Sequence, residues 1–390
     1  MGQIWSALCK QAPSVDRADA YRIDGEQNND KTVSVPVATN EPAKQYSWDK
    51  PMTRNPKDFI FDGLTSGQAL KMPGQINGEQ FVIQNCKSTT IFLLDSSASI
   101  NVDDCEDCAI VVGACRGSVF VRDCKRIRLL AACQQFRTRD CKSLDVFLLS
   151  TTMPIIEESQ YVRFGCLQLC YERLSDHLRA AQLSPFNNNW SHVHDFTPAA
   201  GNFSLLSEDT DITTLIPALN ADVISQTATA TIDVAAFQQQ LRLSYSREAS
   251  IVPLTLGQRK AASNEVTFVL CFSFPDEATK QPAQTLDGRC LRLVRGVQTA
   301  LTGCPRLATT KQAKLDAVDL DRILGCKDYD RLAKNGPIVG MEWRGTDAFD
   351  LINEHIRRAD WSAYSHVTSG SAAKVQLMKF MQFTDIQQSV

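Results

Sequence analysis

The sequence lacks the features of several large protein classes. No run of about eighteen apolar residues occurs, so no membrane-spanning helix is predicted. No signal-peptide pattern opens the chain, and we therefore expect reduced thiols. The net charge is -3 at neutral pH, which gives no basic excess of the kind that nucleic-acid-binding proteins carry. A length of 390 residues allows two domains, and no nucleic-acid partner is predicted.

Histidine is also scarce, although cysteine is abundant. The chain has 14 cysteines and 5 histidines, and its one C-x-x-C pair is Cys105 and Cys108. A second pair at zinc spacing is missing, and His192 and His194 alone are too few ligands. Buried free thiols are therefore the better interpretation. We predict no metal and no cofactor.

The first residues match an acylation pattern. MGQIWS fits M-G-x-x-x-[ST], which directs myristate to Gly2 after removal of the initiator methionine. One acyl chain binds a membrane only marginally, and palmitate on Cys9 would supply the second signal. Residues 1–44 are therefore predicted to be an acylated flexible arm that attaches the protein to a membrane.

The central region consists of short repeats. They begin at intervals of 19, 19, 17 and 19 residues. The starting residues are Phe81, Ile100, Val119, Phe136 and Ile155. A short period with brief β-branched runs is typical of a solenoid in which each repeat forms one coil. Hexapeptide regularity is missing, so we predict a right-handed parallel β-helix of about five coils over residues 59–165.

The sixth position of each repeat is occupied by cysteine until the fifth repeat. The column reads Cys86, Cys105, Cys124 and Cys141, and Gln160 then breaks it. Small, polarisable side chains suit a coil corner inside a β-helix. This arrangement accounts for four cysteines without metal or disulfide bonds.

Two arginines lie at alternate positions in the stretch ACQQFRTRDC. Alternate side chains of a strand point to the same side, so Arg137 and Arg139 are predicted to share the outer wall. Arg139 is in the fourth column, where we expect Glu158 in the next coil and Asp103 two coils away as partners. Such cross-strand ion pairs are common on the surfaces of β-sheets, so Arg139 is predicted to have a structural role.

Arg137 is in the second column, between Phe120 and Ile156, without a carboxylate in its own column. The residues alone leave two readings open: a guanidinium available to a partner, or a stem that covers apolar neighbours. The preceding repeat is two residues short, which should draw the Gln134–Gln135 corner in beside Arg137. Glu157 falls in the inward third column, where a carboxylate needs a partner, and we expect it to buttress the wall beneath Arg137.

Several long motifs resemble those of one known family. They are KQYSWD, FIFDGL, KMPGQINGEQFVIQNC, ACQQFRTRDC, TTMPIIEES and SPFNNNWSHVHDFTP, in this order. Together they resemble the tubulin cofactor C domain family, densely over residues 44–198 and more thinly afterwards. The family's β-helix domain corresponds to residues 45–198 here.

The resemblance implies GTPase-activating activity toward an Arf-like small GTPase in its GTP form. The family's arginine finger falls on Arg137, with Gln134 beside it as the second catalytic residue. Gln135, Glu157 and Phe196 correspond to contacts with the partner GTPase. No independent catalytic activity is expected, because such a protein completes the active site of its partner.

The layout also resembles that of an acylated, ciliary member of the family. This implies transport of lipidated proteins, and a location on the cytoplasmic face of the plasma membrane at the ciliary base or basal body. Relatives carry the palmitoylated cysteine directly after the glycine, and here Gln3 stands there instead.

Residues 263–390 alternate strand and helix patterns. They predict a ferredoxin-like α+β domain, joined to the β-helix by a linker over residues 199–262. The resemblance implies a nucleoside diphosphate kinase-like fold for this domain. A phosphotransferase would need a nucleophilic histidine, for which His366 in SHVTSGSA is the one candidate. A degenerate binding module is the favoured reading.

Three other functions are alternatives to GTPase activation. The chain could be a scaffold that binds the GTP form without stimulating hydrolysis. It could be a tubulin-folding cofactor, which makes tubulin an alternative partner. A β-helix enzyme acting on polysaccharide ranks lowest, because the outer carboxylates stand in pairing positions with arginines.

Overall fold

The computed structural model describes residues 55–220, 223–226, 241–300 and 306–388. The strands are β1 Ile60–Asp62, β2 Gln68–Lys71, β3 Phe81–Gln84, β4 Thr90–Ser97, β5 Ile100–Asp103, β6 Ala109–Arg122, β7 Lys125–Arg139, β8 Lys142–Ser150, β9 Ile155–Glu157, β10 Gln160–Cys166, β11 His194–Asp195, β12 Phe203–Leu205, β13 Ile224–Gln226, β14 Val266–Phe272, β15 Arg306–Ala313, β16 Ile338–Arg344 and β17 Ser365–Ser369. The helices are α1 Leu174–Ala180, α2 Leu286–Ala300, α3 Ala317–Leu324, α4 Ala348–Arg358 and α5 Gly370–Gln388. Gly2, Cys9 and the rest of the predicted arm lie outside the described residues.

The first thirteen strands form a parallel β-solenoid of about six turns. One wall follows the order β1-β3-β5-β6-β7-β9-β11, and the other follows β13-β2-β4-β6-β7-β8-β10-β12. β6 and β7 are long enough to run through both walls. The predicted β-helix is confirmed. Strands β12 and β13 belong to this sheet although they lie in the segment predicted to be a linker.

Each coil turns its first corner through a residue in the left-handed backbone region. The φ angles at these corners lie between 45° and 55°. The residues are Asn85, Asp104, Asp123, Asp140 and Glu158. Asparagine and aspartate tolerate this conformation better than other non-glycine residues because their short side chains can bond locally. The polar residue before each cysteine is therefore a corner signal.

The predicted cysteine column lines the inside of this corner. Its four thiols are free and buried, and each donates to the carbonyl oxygen two residues earlier, at 3.0–3.3 Å. The thiol sulfur atoms of Cys124 and Cys141 also accept hydrogen bonds from the backbone N–H of the cysteine in the preceding coil. Ser159, not Gln160, continues the column, and its hydroxyl accepts from the Cys141 N–H at 3.1 Å.

The shift from Gln160 to Ser159 reflects a register error in the predicted fifth repeat. Arg137 pairs with Ile155. The position that corresponds to Phe136 is therefore the residue before Ile155, so the fifth repeat begins one residue earlier than predicted. The prediction was wrong because Ile155 and Ile156 are both apolar, and either could be taken as the inward residue. A slip of one residue moves every side chain of a strand to the opposite face. Ile156 is buried, whereas Ile155 is partly exposed.

The last four strands form an antiparallel sheet in the order β15-β16-β14-β17. The succession β14-α2-β15-β16-α4-β17 is that of a ferredoxin-like arrangement, with α3 inserted between β15 and β16. Helices α2 and α4 cover one face of the sheet, and α3 and α5 cover the other. The likeness to nucleoside diphosphate kinase stays a prediction.

None of the described helices combines the length and the apolar character that crossing a bilayer requires.

The corner residue Asp123 allows a test of the left-handed column. It is exposed, with a φ of 53°. Asp123→Val is expected to lower the free energy of unfolding by about 1–2 kcal/mol, because β-branched residues are strained in this region. Asp123→Asn is the matched control and should be close to wild type. Urea denaturation measures both, and equal stabilities of the two variants would contradict the assignment.

Candidate functional site

The outward side chains of β7, β9 and the segment starting at β11 form one continuous surface. We call it the arginine face, and it consists of Arg137, Arg139, Ile155, Glu157, His194 and Phe196. The register pairs Arg137 with Ile155 and Ile155 with His194. Arg139 pairs with Glu157, and the Phe196 N–H donates to the carbonyl of Ile156 beside it at 2.9 Å. Parallel pairing thus places β7, β9 and β11 side by side, so Arg137 and Phe196, 59 positions apart in the sequence, share one wall.

Arg137 is the arginine of this face that is available to bind a partner. Its side chain is exposed, and its guanidinium forms no hydrogen bond or ion pair with any described residue. Its neighbours in the column are Phe120 and Ile155, since the register replaces the predicted Ile156. The aliphatic stem can lie over these apolar residues while the charged end remains in water.

The neighbouring arginines have partners. Arg122 donates to both carboxylate oxygens of Asp103, at 2.7 and 2.9 Å, and its guanidinium lies 5.1 Å from the ring centre of Phe120. These hydrogen bonds raise the pKa of Arg122. Arg139 lies 3.2 Å from the carboxylate of Asp140. The predicted partners of Arg139 were wrong, because Asp103 is held by Arg122 and the neighbour in the next coil is Glu157.

A corner of the chain immediately before Arg137 is held by the next coil. The carbonyl oxygen of Gln134 accepts three hydrogen bonds at 3.0 Å, from the Thr151 hydroxyl and from the Thr152 hydroxyl and N–H. We call Thr151–Met153 the corner loop. The amide oxygen of Gln135 accepts from the Ser118 hydroxyl at 3.0 Å. The backbone of Gln134 is therefore fixed, while its side chain is exposed.

The short repeat has a specific structural origin. Register shifts occur between Val112 and Ala114 and between Cys115 and Ser118, where β6 has additional residues that β7 does not match. Gly113 is at the first shift, where a Cβ atom would lie 2.2 Å from the hydroxyl oxygen of Tyr171. The loss of two residues in β7 thus makes the corner tight, as the spacing predicted.

Glu157 and Phe196 both lie on the arginine face. The inward position predicted for Glu157 was wrong, since its side chain is exposed and the one-residue register shift turns it outward. It therefore cannot buttress the wall beneath Arg137. Phe196 is 61% exposed, and its ring packs edge-on against that of His194 with centroids 4.6 Å apart. Such an exposed aromatic ring is typical of a contact surface.

Sequence reasoning missed one residue of the arginine face and one of the corner loop. His194 was considered only as a metal ligand, although the alternation in HVHDF indicates a strand that continues the wall. Met153 of the corner loop is 53% exposed, and no periodic pattern marks it.

His366 lies in β17, away from the solenoid. Its Nδ1 is 3.1 Å from the hydroxyl of Tyr329, and its Nε2 is 3.1 Å from the side-chain oxygen of Gln376. Burial lowers the pKa of His366. Because both ring nitrogens have hydrogen-bond partners, neither is free to attack a phosphate, which favours a binding module over a phosphotransferase.

The solenoid and its face define the class of protein. A family model described as "Tubulin binding cofactor C" matches residues 78–196, which include the arginine face. Tubulin-specific chaperone C of Mus musculus is 26% identical over 51% of this chain and 58% of its own length. A solved structure of Tubulin Binding Cofactor C from Leishmania major is 21% identical, covering 38% of this chain and 89% of its own. Its TM-score of 0.28 supports no structural argument.

Relatives that match nearly the whole chain define the family more narrowly. Protein XRP2 of Danio rerio is 35% identical over 97% of this chain and 96% of its own length. Protein XRP2 of Homo sapiens is 34% identical over 92% of this chain and 96% of its own length. The chain belongs to the XRP2 family and contains a tubulin binding cofactor C domain.

Proposed function

We propose that the protein is a GTPase-activating protein for an Arf-like small GTPase, to which Arg137 supplies an arginine finger in trans. The observation that carries the proposal is the contrast along one wall. Arg122 and Arg139 have carboxylate partners, whereas Arg137, exposed on the same wall, has none among the described residues. An unpaired guanidinium on a rigid strand can be inserted into a partner's active site without first breaking an ion pair.

An arginine suits this chemistry for a physical reason. Hydrolysis of GTP builds negative charge on the oxygens around the γ-phosphate in the transition state. A guanidinium delivered in trans stabilises that charge and typically raises the rate 10³–10⁵-fold. Lysine has no planar fork of donors and could not bond two oxygens in the same way. The exposed side-chain amide of Gln134, on a fixed backbone, would assist by hydrogen bonding at the same site.

Two other residues of the arginine face, Phe196 and Glu157, would contact the GTPase. Phe196 supplies an exposed aromatic anchor, and Glu157 supplies a carboxylate on the neighbouring strand. Aromatic residues are enriched at the centre of protein interfaces. The side chain of Gln135 is turned to Ser118, so its contribution would be to keep the corner in shape.

Two alternative functions predict different behaviour. A scaffold would bind the GTP form without accelerating hydrolysis. A tubulin-folding cofactor, suggested by the name of the chaperone C relatives, would bind a tubulin complex. The unpaired arginine favours GTPase activation over both, because neither alternative requires a free guanidinium.

We further propose that the protein acts at a membrane. Myristate on Gly2 and palmitate on Cys9 would anchor it to the cytoplasmic face of the plasma membrane at the ciliary base. There it would promote the release of lipidated cargo that a GTP-bound Arf-like GTPase controls. This proposal rests on the sequence of the first nine residues and on the family resemblance.

Arg137→Ala is expected to abolish most of the acceleration of GTP hydrolysis, by about 10³-fold or more. The measurement is single-turnover hydrolysis by a panel of Arf-like GTPases, each with and without saturating protein. Arg139→Ala is the matched control, and it should stay within about threefold of wild type because exposed ion pairs contribute little. If the wild type does not accelerate hydrolysis, the scaffold function is favoured instead. Equal losses of acceleration in both variants would contradict the role of Arg137.

Gly2→Ala is expected to remove myristate and to release the protein from membranes. Cells fed a clickable myristate analogue should label the wild type and not the variant. Cys9→Ser should keep the myristate label but weaken membrane retention, because one acyl chain binds only marginally. Labelling that does not depend on Gly2 would rule the proposal out.

A further inference from the structure

The motif SPFNNNW has no role in the proposed contact with the GTPase, yet its three consecutive asparagines make an unusual set of bonds. We call Asn187–Asn189 the asparagine triplet. It lies between the end of β8, the corner loop and the edge strand β15 of the C-terminal sheet. The described residues belong to one compact unit, so these contacts join the two halves of that unit.

The triplet is bonded to β15 on one side. The side chain of Asn187 pairs with the backbone of Gln312, accepting from its N–H at 2.7 Å and donating to its carbonyl at 3.1 Å. The hydroxyl of Thr310 donates to the carbonyl of Phe186 at 2.8 Å. Between them, Nζ of Lys311 donates to the side-chain oxygen of Asn189 at 3.0 Å.

On its other side the triplet is bonded to the solenoid. The side-chain oxygen of Asn188 accepts from the Ser150 N–H at 3.0 Å, and its amide donates to the carbonyl of Leu148 at 2.9 Å. The side-chain amide of Asn189 donates to the carbonyl of Thr151 at 2.6 Å. The N–H of Asn189 donates to the carbonyl of Ser150 at 2.7 Å.

Asn189 therefore connects the C-terminal sheet to the corner loop through a single side chain. Its oxygen is held by Lys311 and its amide holds Thr151, and Thr151 in turn donates to the carbonyl of Gln134. The connection ends three residues before Arg137. Lys311 is only 6% exposed, and burying an ammonium group is costly unless it is well bonded. The ammonium group of Lys311 is therefore expected to be held in place by its bonds, which favours a role in positioning.

We infer that Lys311 and Asn189 are positioning residues for the arginine finger, and that the C-terminal sheet is a working part of the GTPase-activating site. Lys311 fixes the amide of Asn189 in one orientation, the amide fixes the corner loop, and the loop fixes Gln134. Arg137 is then presented with little freedom. Displacement of a catalytic group by about 1 Å can reduce a rate by about 10²-fold. This inference rests on the proposed function.

The test uses the full chain and Lys311→Met. Methionine keeps the apolar stem but removes the charge and the donor to Asn189, so the variant should melt at a somewhat lower temperature than wild type, and it is assayed well below that temperature. We expect about a tenfold loss in the single-turnover rate at saturation, with an unchanged half-saturating concentration. The amide of Thr152, which bonds to Gln134, should exchange its hydrogen faster. Lys311→Arg should recover part of the rate because it restores a donor.

Lys374→Met is the matched control. Lys374 is exposed and lines the same open groove, of about 1000 Å³, as Lys311 and the corner loop. It should leave rate and exchange at wild-type values. A wild-type rate and exchange in Lys311→Met would overturn the inference alone, as would a loss that appears only in the half-saturating concentration. No acceleration by the wild-type chain would overturn the proposed function and, with it, this inference.

Discussion

The hydrogen-bonded register of the parallel strands is the constraint on which the rest of the structure depends. Each inner strand of the solenoid is held by the coil before it and the coil after it, so its register fixes which side chains point inward. Phe136 is buried and Arg137 exposed because β7 is paired with β6 and β9 in one register. The same register sets Glu157 beside Arg139. A surface built in this way is rigid, since no side chain can move along it without a shift of a whole strand.

Most of the solenoid could be predicted from the sequence because its signals recur. The apolar first column, the cysteine column and the asparagine or aspartate before each of these cysteines repeat once a coil, and each repeat supports the others. The fifth repeat was the weak point. It has no cysteine at the corner position, and Ile155–Ile156 offers two inward candidates, so the sequence carried no signal that separated them. Only the backbone pairing of Arg137 with Ile155 decides between them. The error moved Glu157 to the wrong side, although Arg137 and Phe196 were unaffected.

The contacts between the solenoid and the C-terminal sheet could not be predicted from periodicity. They join Asn187 and Asn189 to Gln312 and Lys311, more than 120 positions away, through side-chain and backbone bonds that no repeat encodes. The asparagine triplet was visible in the sequence, but its bonding partners were not. Asparagine is suited to such a junction because its side chain both donates and accepts. One residue can therefore satisfy a buried lysine and a backbone carbonyl together.

The central claim is that Arg137 stabilises the transition state of hydrolysis in a partner GTPase. Aluminium fluoride with GDP mimics the planar phosphoryl group of that state, and groups that bind the transition state bind the mimic more tightly than GDP alone. The affinity of the protein for an Arf-like GTPase loaded with GDP and aluminium fluoride tests the claim most directly. The account predicts tight binding to this form, weak binding to the GDP form, and loss of the difference in Arg137→Ala. Equal affinity of wild type and Arg137→Ala for the aluminium fluoride form would contradict it.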